Sequence, residues 1–295
     1  MAVEVGTQVA RARVRTAWLF LAPLTAVLAA GYLWPLGQAF VNSFHPNTQQ
    51  GVDAAHWTAA NYAALLNPLY GTILARTLRI SLVVTAITAL LAYPVAIFTA
   101  RLDSKAQAWV ILAYVSPWLV NTVVKSFGWS LLLRSNGVIN TALKGLGLID
   151  TPLKIMLNET GIIIALIPGH FMFVLLPLWA AVSGLDPALL WAAGTLGARP
   201  WQIFLRVILP LTLPSLIAGL TINFTMNMTA FAAPAILGGT RAEVVSYLAF
   251  QVNLVQLNWP LGGALAIGLL AFILALVWGG QHAAGLALRR GVPLR

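Results

Sequence analysis

The side chains able to do chemistry in this chain stand inside apolar runs. Lys125 lies within the apolar stretch 108–133, and His170 follows Pro168 and Gly169 within 160–183. Asn223 and Asn227 stand one helical turn apart within 212–236, with Phe231 and Pro234 beyond them. A lysine and a histidine can take up and release protons, and amides can both donate to and accept from a polar solute. A charge at the centre of a bilayer costs about 2.5–3.5 kcal/mol even on the lenient insertion scale, so Lys125 should face a cavity or a partner. Tyr114, Asn121, Lys125 and Gly128 recur at helical spacing and are expected to share one face. That face could be the wall of a path, or it could bond neighbouring carbonyls and hold helices together. The same two roles stand open for Asn223 and Asn227. For His170 the alternatives are a satisfied packing residue and a ligand or proton carrier.

The chemistry that is missing narrows the field. No Asp or Glu lies well inside an apolar stretch, and Glu159 stands at a boundary. A polycation crossing here would want carboxylates along its route. The chain has no cysteine, which excludes disulfides, thiolate nucleophiles and Cys-ligated metal. No phosphate-binding Gly-x-x-x-x-Gly-Lys-Ser/Thr loop is present, so ATP is not bound in that way. An intramembrane protease would need a Ser with a His, or two Asp, at depth, and neither pair offers itself. No catalytic residue and no metal ligand is expected.

Composition says what surrounds these residues. Of 295 residues, 60% are hydrophobic and 8% charged, and mean hydropathy is +0.86; an ordinary soluble domain carries about 25% charged residues. This much apolar surface needs lipid as its solvent. Six stretches are long enough to cross a bilayer core, at 17–41, 77–100, 108–133, 160–183, 212–236 and 260–284, given roughly 20 residues per crossing. The first exceeds a signal-peptide core and lacks a clear cleavage site, so it reads as a retained span. The net charge of +10 is explained by basic residues at the ends of spans rather than by nucleic acid. Arg11, Arg13 and Arg15, then Arg101 and Lys105, then Arg199 and Arg206, then Arg289, Arg290 and Arg295 all fall on one side, which the positive-inside rule makes cytoplasmic. Arg134, Lys144, Lys154 and Arg241 fall opposite, diluted by Asp53, Asp150, Glu159 and Glu243, while Arg76 and Arg79 can snorkel at the outer mouth of the second span. Short helices are expected in the outer loops, around Ala59 to Leu66 and within 134–158, the latter ended by Gly145 or Gly147.

Between the fourth and fifth spans lies a punctuated hairpin, 184–211. Asp186 is a carboxylate cap and Pro187 is pre-set for a first helical turn. The helix should end near Gly197, and Pro200 should open a second short helix that Pro210 stops. Ala192, Ala193, Gly194 and Gly197 allow close approach, and Trp191, Trp201 and Phe204 supply apolar anchors. On composition alone, the pair could lie flat on lipid or dock onto a partner.

Ala192-Ala193, Gly197, Val207, Leu209 and Pro210 resemble the "EAA…G…I-LP" loop of permease subunits of binding-protein-dependent ABC importers. The resemblance extends over most of the chain and is nearest to the spermidine/putrescine-type branch. It is carried further by Thr77, Leu78, Ser81, Thr85 and Tyr93-Pro94; by Gly137-Val138-Ile139-Asn140 and Gly147-Leu148-Ile149-Asp150; by Pro234 to Gly239; and by Asn258 to Gly262. It implies an all-α integral membrane protein with six transmembrane helices, in the type I (MetI-like) permease fold with a cytoplasmic coupling helix. The layout would be a cytoplasmic tail (1–16), a first span (17–41), a periplasmic loop (42–72), a five-span core (73–284) and a cytoplasmic tail (285–295). The implied partners are a second homologous permease, a cytoplasmic ATPase dimer that carries ATP and Mg, and a periplasmic binding protein; the chain itself would hold no cofactor. Asp186, Pro187, Trp191, Ala192, Ala193, Gly197, Leu209 and Pro210 would contact the ATPase. Tyr114, Asn121, Lys125, His170, Asn223, Asn227, Phe231 and Pro234 would line the path. Trp191 stands where the family usually has Glu, which removes an ion pair there, and Ala230 stands where the polyamine branch often has an acid. The cargo would be a polyamine or a related small amino compound, a zwitterion or aminophosphonate included. The alternative from another class is a stand-alone secondary transporter with Lys125 or His170 as its protonation switch, although no inverted repeat is apparent.

Overall fold

The computed structural model describes residues 20–49 and 51–291. Arg11, Arg13, Arg15 and Arg295 lie outside the described residues, as does the whole of the tail 1–16, and the side chains of Arg289 and Arg290 are not among those described. Among the described residues, four helices are long and apolar enough to cross a membrane, and two further pairs are bent; with each bent pair taken as one crossing there are six.

The chain divides into two units, Met1–Leu66 with Gln251–Ile267, and Asn67–Phe250 with Gly268–Arg295. In the first, α1 (Phe20–Asn42) contains a π-turn at Ala29–Leu33. A two-residue antiparallel pair follows, β1 (Asn47–Thr48) and β2 (Gly51–Val52), and then α2 (Ala60–Ala64). Asn61 Nδ2 donates to the Ser43 and His45 carbonyls, both at 2.9 Å, and so closes the open end of α1. His45 Nδ1 donates to the His56 carbonyl at 2.7 Å. His56 in turn bonds Asp53, which with the Ala55 N–H holds that carboxyl below its ordinary range.

In the second unit, α3 (Pro68–Ala100) is capped by Asn67 and runs 33 residues. It begins ahead of the expected 77. Arg76 and Arg79 look like a boundary in sequence, yet the helix continues through them because both guanidinium groups pair with Glu159. Arg76 is largely enclosed with that carboxylate, while Arg79 keeps 65% of its side chain exposed.

The third span departs from expectation. The continuous helix expected over 108–133 is two helices, α4 (Ser104–Leu119) and α5 (Thr122–Leu133), and the chain turns by 95° between Ser104–Leu119 and the stretch Thr122–Gly145. Pro117 removes a donor from the last turn, Val120 and Asn121 turn extended, and the Asn121 side chain caps α5 through Val123 N–H at 2.8 Å. Tyr114 and Lys125 therefore do not share a helical face. Next, α6 (Val138–Gly145) closes with Leu148 N–H on the Leu143 carbonyl, and Gly147 takes a φ of +68°.

The fourth span is α7 (Glu159–His170) and α8 (Met172–Ser183), bent by 43° just after Pro168. A short helix, α9 (Pro187–Thr195), precedes α10 (Pro200–Met228). The break at 229–231 and the π-turn Pro234–Gly238 follow. The fifth span thus starts earlier and ends earlier than 212–236, and Pro234 opens a separate helical segment instead of loosening a helix end. α11 (Val245–Val255) and α12 (Trp259–Gly291) complete the order.

Two apolar clusters form the core of the second unit. One gathers Ile80, Val84, Ile162, Leu166 and Leu237, the other Ala92, Ala96, Val174, Leu175 and Leu178. Around the second cluster α10 crosses α8 at Gly219, where an added Cβ would sit 3.0 Å from the Phe173 carbonyl and 3.1 Å from Val174 Cα. Small residues at such crossings let two backbones pack directly. Gly219→Val should lower stability by about 1–3 kcal/mol through overpacking, read as a fall in the melting temperature of the detergent-solubilised protein. An unchanged melting curve would mean that the two helices do not meet there.

Candidate coupling hairpin and buried polar chain

The hairpin is built as its residues dictate. Asp186 is extended and its Oδ1 accepts from Ala188 N–H at 2.9 Å, with Pro187 at the first helical position. α9 closes with Gly197 N–H on the Gly194 carbonyl and Ala198 N–H on the Ala193 carbonyl, and Gly197 has a φ of +79°. That backbone conformation favours glycine. Gln202 then reaches back to the Arg199 N–H at 2.8 Å. No residue of α9 is buried, and Trp191 and Leu196 are 75% and 88% exposed. Ala192 and Gly197 are exposed beside them and Ala193 is half-buried.

Pro210 does not stop the second helix. α10 passes through it by widening to a π-turn over Phe204–Ile208, closed by Leu209 N–H on the Phe204 carbonyl. A wider turn gives room for a ring that would otherwise strike the carbonyl four residues back. Leu209 and Pro210 therefore belong to the spanning helix. The Phe204 ring stands edge-on to Tyr93 at 5.1 Å, and the Tyr93 hydroxyl bonds Thr212 at 3.0 Å. This apolar and polar pair of contacts joins the hairpin end of α10 to α3.

Deeper in the second unit, four side chains from three spans form one hydrogen-bonded chain. At the bend, Val174 N–H turns to the Phe171 carbonyl, which leaves the His170 carbonyl to accept from Asn223 Nδ2 at 3.0 Å. A carbonyl can only accept, so Asn223 must present Oδ1 on its other side. Asn227 Nδ2 donates to that oxygen at 2.7 Å, and Thr85 Oγ1 donates to it at 3.1 Å. Asn227 Oδ1 is then left to accept from His170 Nδ1 at 2.7 Å. The circuit begins and ends on His170 and assigns its proton to Nδ1. Asn223 is fully buried and Asn227 nearly so.

The other expected path residues are distributed. Lys125 is half-buried, and its ammonium makes no hydrogen bond or ion pair among the described residues. Tyr114 packs on Phe171 at 5.3 Å and lines an apolar cavity of about 510 Å³, where Pro94, Pro117 and Pro168 also stand. Asn121 is the α5 cap. Phe231 joins Tyr247 and Phe250 in an aromatic cluster, and Pro234 is buried. Thr85, Tyr93 and Thr212 complete the polar contacts without having stood out as site residues; a hydroxyl in an apolar run is a weak signal until its partner is known.

Residues 58–283 match the family described as "Binding-protein-dependent transport system inner membrane component". The chain belongs to that family. The spermidine/putrescine transport system permease protein PotB of Haemophilus influenzae is 34% identical over 221 residues, covering 75% of this chain and 77% of that protein. PotB of Escherichia coli K12 is 33% identical over 226 residues, covering 75% and 82%. Among solved structures, a bacterial alginate ABC transporter in complex with an alginate pentasaccharide-bound periplasmic protein superposes with a TM-score of 0.74, at 19% identity over 92% of this chain and 95% of that one. The MetNI methionine ABC transporter in an inward-facing conformation gives 0.55, at 18% identity over 77% and 98%; at these identities both speak for the fold alone. This permease is thus a multi-pass inner-membrane subunit of an ABC importer with the type I, MetI-like fold. Membership displaces the stand-alone transporter reading.

Asn223→Leu should strand the His170 carbonyl and take from Asn227 and Thr85 their shared acceptor. Interhelical hydrogen bonds in lipid contribute about 0.6–2 kcal/mol, so a stability loss of about that size is expected in a denaturant titration of the reconstituted permease. Equal stability of Asn223→Leu and wild type would show that the chain of amides is not closed in the membrane. Lys125→Cys, in a chain without other cysteines, should label with a water-soluble thiol reagent in at least one nucleotide state of the transporter. Protection in every state would assign Lys125 to packing.

Proposed function

We propose that this permease forms one side of a path for a small polar amino compound, a polyamine or a close relative, and that an ATPase pair drives it through the hairpin at 184–211. The observation that carries the reading is the exposed, doubly capped hairpin whose second leg is continuous with α10. That helix bears Asn223 and Asn227 and is tied to α3 through Phe204, Tyr93 and Thr212. A force applied at α9 reaches the buried polar chain along one rigid element, which is what coupling between two bundle states requires.

The other parts of the reading follow from what the chain lacks. ATP and Mg would sit on the ATPase, which meets Asp186, Pro187, Trp191, Ala192, Ala193 and Gly197. An external binding protein would deliver cargo to the opposite face, with both termini cytoplasmic. A second, similar permease would complete the path, which Tyr114, Asn121, Lys125, His170, Asn223, Asn227, Phe231 and Pro234 line on this side. The polyamine assignment is supported by the names of the PotB relatives. With no acidic residue well inside the spans of this chain and Glu159 at a boundary, the carboxylates that a polyamine needs would come from that second permease.

Gly197→Val forces a branched side chain into a left-handed conformation, at a cost of about 1–3 kcal/mol. In the assembled transporter, cargo uptake should fall about tenfold or more while the ATPase continues to turn over without the binding protein. Full uptake with a normal yield of complex would overturn the hairpin as the coupling element. Cargo class is tested by screening amines and zwitterions against the cognate binding protein.

A further inference from the structure

At the ends of the spans in the second unit, a cavity of about 500 Å³ is lined by Arg134, Lys154 and Arg241 together with Met156, Leu157 and Asn158. All three cations are exposed, and none makes an ion pair among the described residues. Glu159 is already held between Arg76 and Arg79, and neither Asp150 nor Glu243 makes an ion pair among the described residues. Three positive charges thus face one concavity, with no carboxylate among the described residues in ion-pair contact with them.

The cavity is pre-built. Asn140 is fully buried; its Nδ2 donates to the Arg134 carbonyl at 3.0 Å and the Leu153 carbonyl at 3.1 Å, and its Oδ1 accepts from Leu153 N–H at 2.8 Å. That clamp sets Arg134 beside Lys154. Asn158 caps α7 and also donates to the Lys154 carbonyl. Leu157 takes a φ of +62° and nests against Gly239, where an added Cβ would sit 3.2 Å from Leu157 Cδ2; Arg241 follows two residues on. Gly137 permits the tight turn beneath, since a Cβ there would lie 2.5 Å from the Leu132 carbonyl. A non-glycine residue held left-handed persists only where its surroundings over-determine it.

We propose that Arg134, Lys154 and Arg241 form a socket for carboxylate side chains on the external binding protein, and that it governs how fast that protein is captured. This rests on the importer reading above. An acidic protein surface fits better than a lipid headgroup, because a headgroup arrives with acyl chains and the lining offers only Met156 and Leu157 as apolar wall. Exposed ion pairs add little affinity each, but clustered charges of one sign steer encounter. The socket therefore acts on association rate and leaves cargo choice to other residues.

The test uses the complete transporter in nanodiscs of zwitterionic lipid and its cognate binding protein. The association rate is measured against salt for wild type and for Arg134→Gln/Lys154→Gln/Arg241→Gln. The triple variant should associate about tenfold more slowly at low salt, with the two curves converging near 1 M, where charges are screened within about 3 Å. Arg241→Glu alone should slow association further than Arg241→Gln. Identical rates and salt slopes would overturn the proposal. So would a difference that appears only when anionic lipid is added, which would assign the socket to headgroups. If the binding protein fails to stimulate the wild-type ATPase at all, it is the importer reading that fails, and the two failures are told apart.

Discussion

In lipid no water stands by to satisfy a stray N–H or C=O, so every interruption of a helix must be repaired by the protein itself. This chain interrupts its helices often, and the repairs are mostly asparagine. Asn121 closes the start of α5 at the break after α4, Asn158 the start of α7, and Asn67 the start of α3. Asn223 takes the carbonyl released where α7 bends into α8, and Asn140 gathers three backbone groups of the outer loop. Asparagine suits the task because one short side chain presents a donor and an acceptor together. The breaks give the bundle its angled walls, and the amides make them tolerable.

The hairpin face and the face opposite it are handled differently. On the hairpin side the surface is apolar and exposed, with Trp191, Leu196 and Trp201 standing clear of the bundle. Trp191 presents an indole at the head of that surface, so contact there would rest on shape and burial more than on charge. On the opposite face the loops are pinned by Asn140, Asn158 and the Leu157–Gly239 contact, and basic groups are displayed on that fixed base. Between the two lies the amide circuit on His170, polar but internally complete.

What was legible in sequence follows from what is local. Membrane class, six apolar stretches, the Asp186-Pro187 start, the Gly197 stop and a short helix within 134–158 are written in hydropathy, caps and glycines, which act over a few residues. The third span misled because 108–133 is apolar throughout, and hydropathy does not register a turn made by Pro117 and a capping Asn121. Pro210 misled in the other direction: a proline reads as a stop, but a widened turn absorbed it. The start of α3 was hidden by Arg76 and Arg79, whose neutralising partner is about 80 residues away in sequence. The pairing of Thr85 with Asn223 and Asn227 spans 138 and 142 residues, a distance over which no spacing rule operates.

The widened turn at Phe204–Ile208 has a consequence for direction. Each residue of an ordinary α-helix subtends about 100° around its axis, and a π-turn accommodates one surplus residue without breaking the column. The compass bearing of α9 relative to the polar face of α10 is therefore fixed by a count of residues. The left-handed turn at Gly197 and this one extra link in the chain together set where the hairpin points.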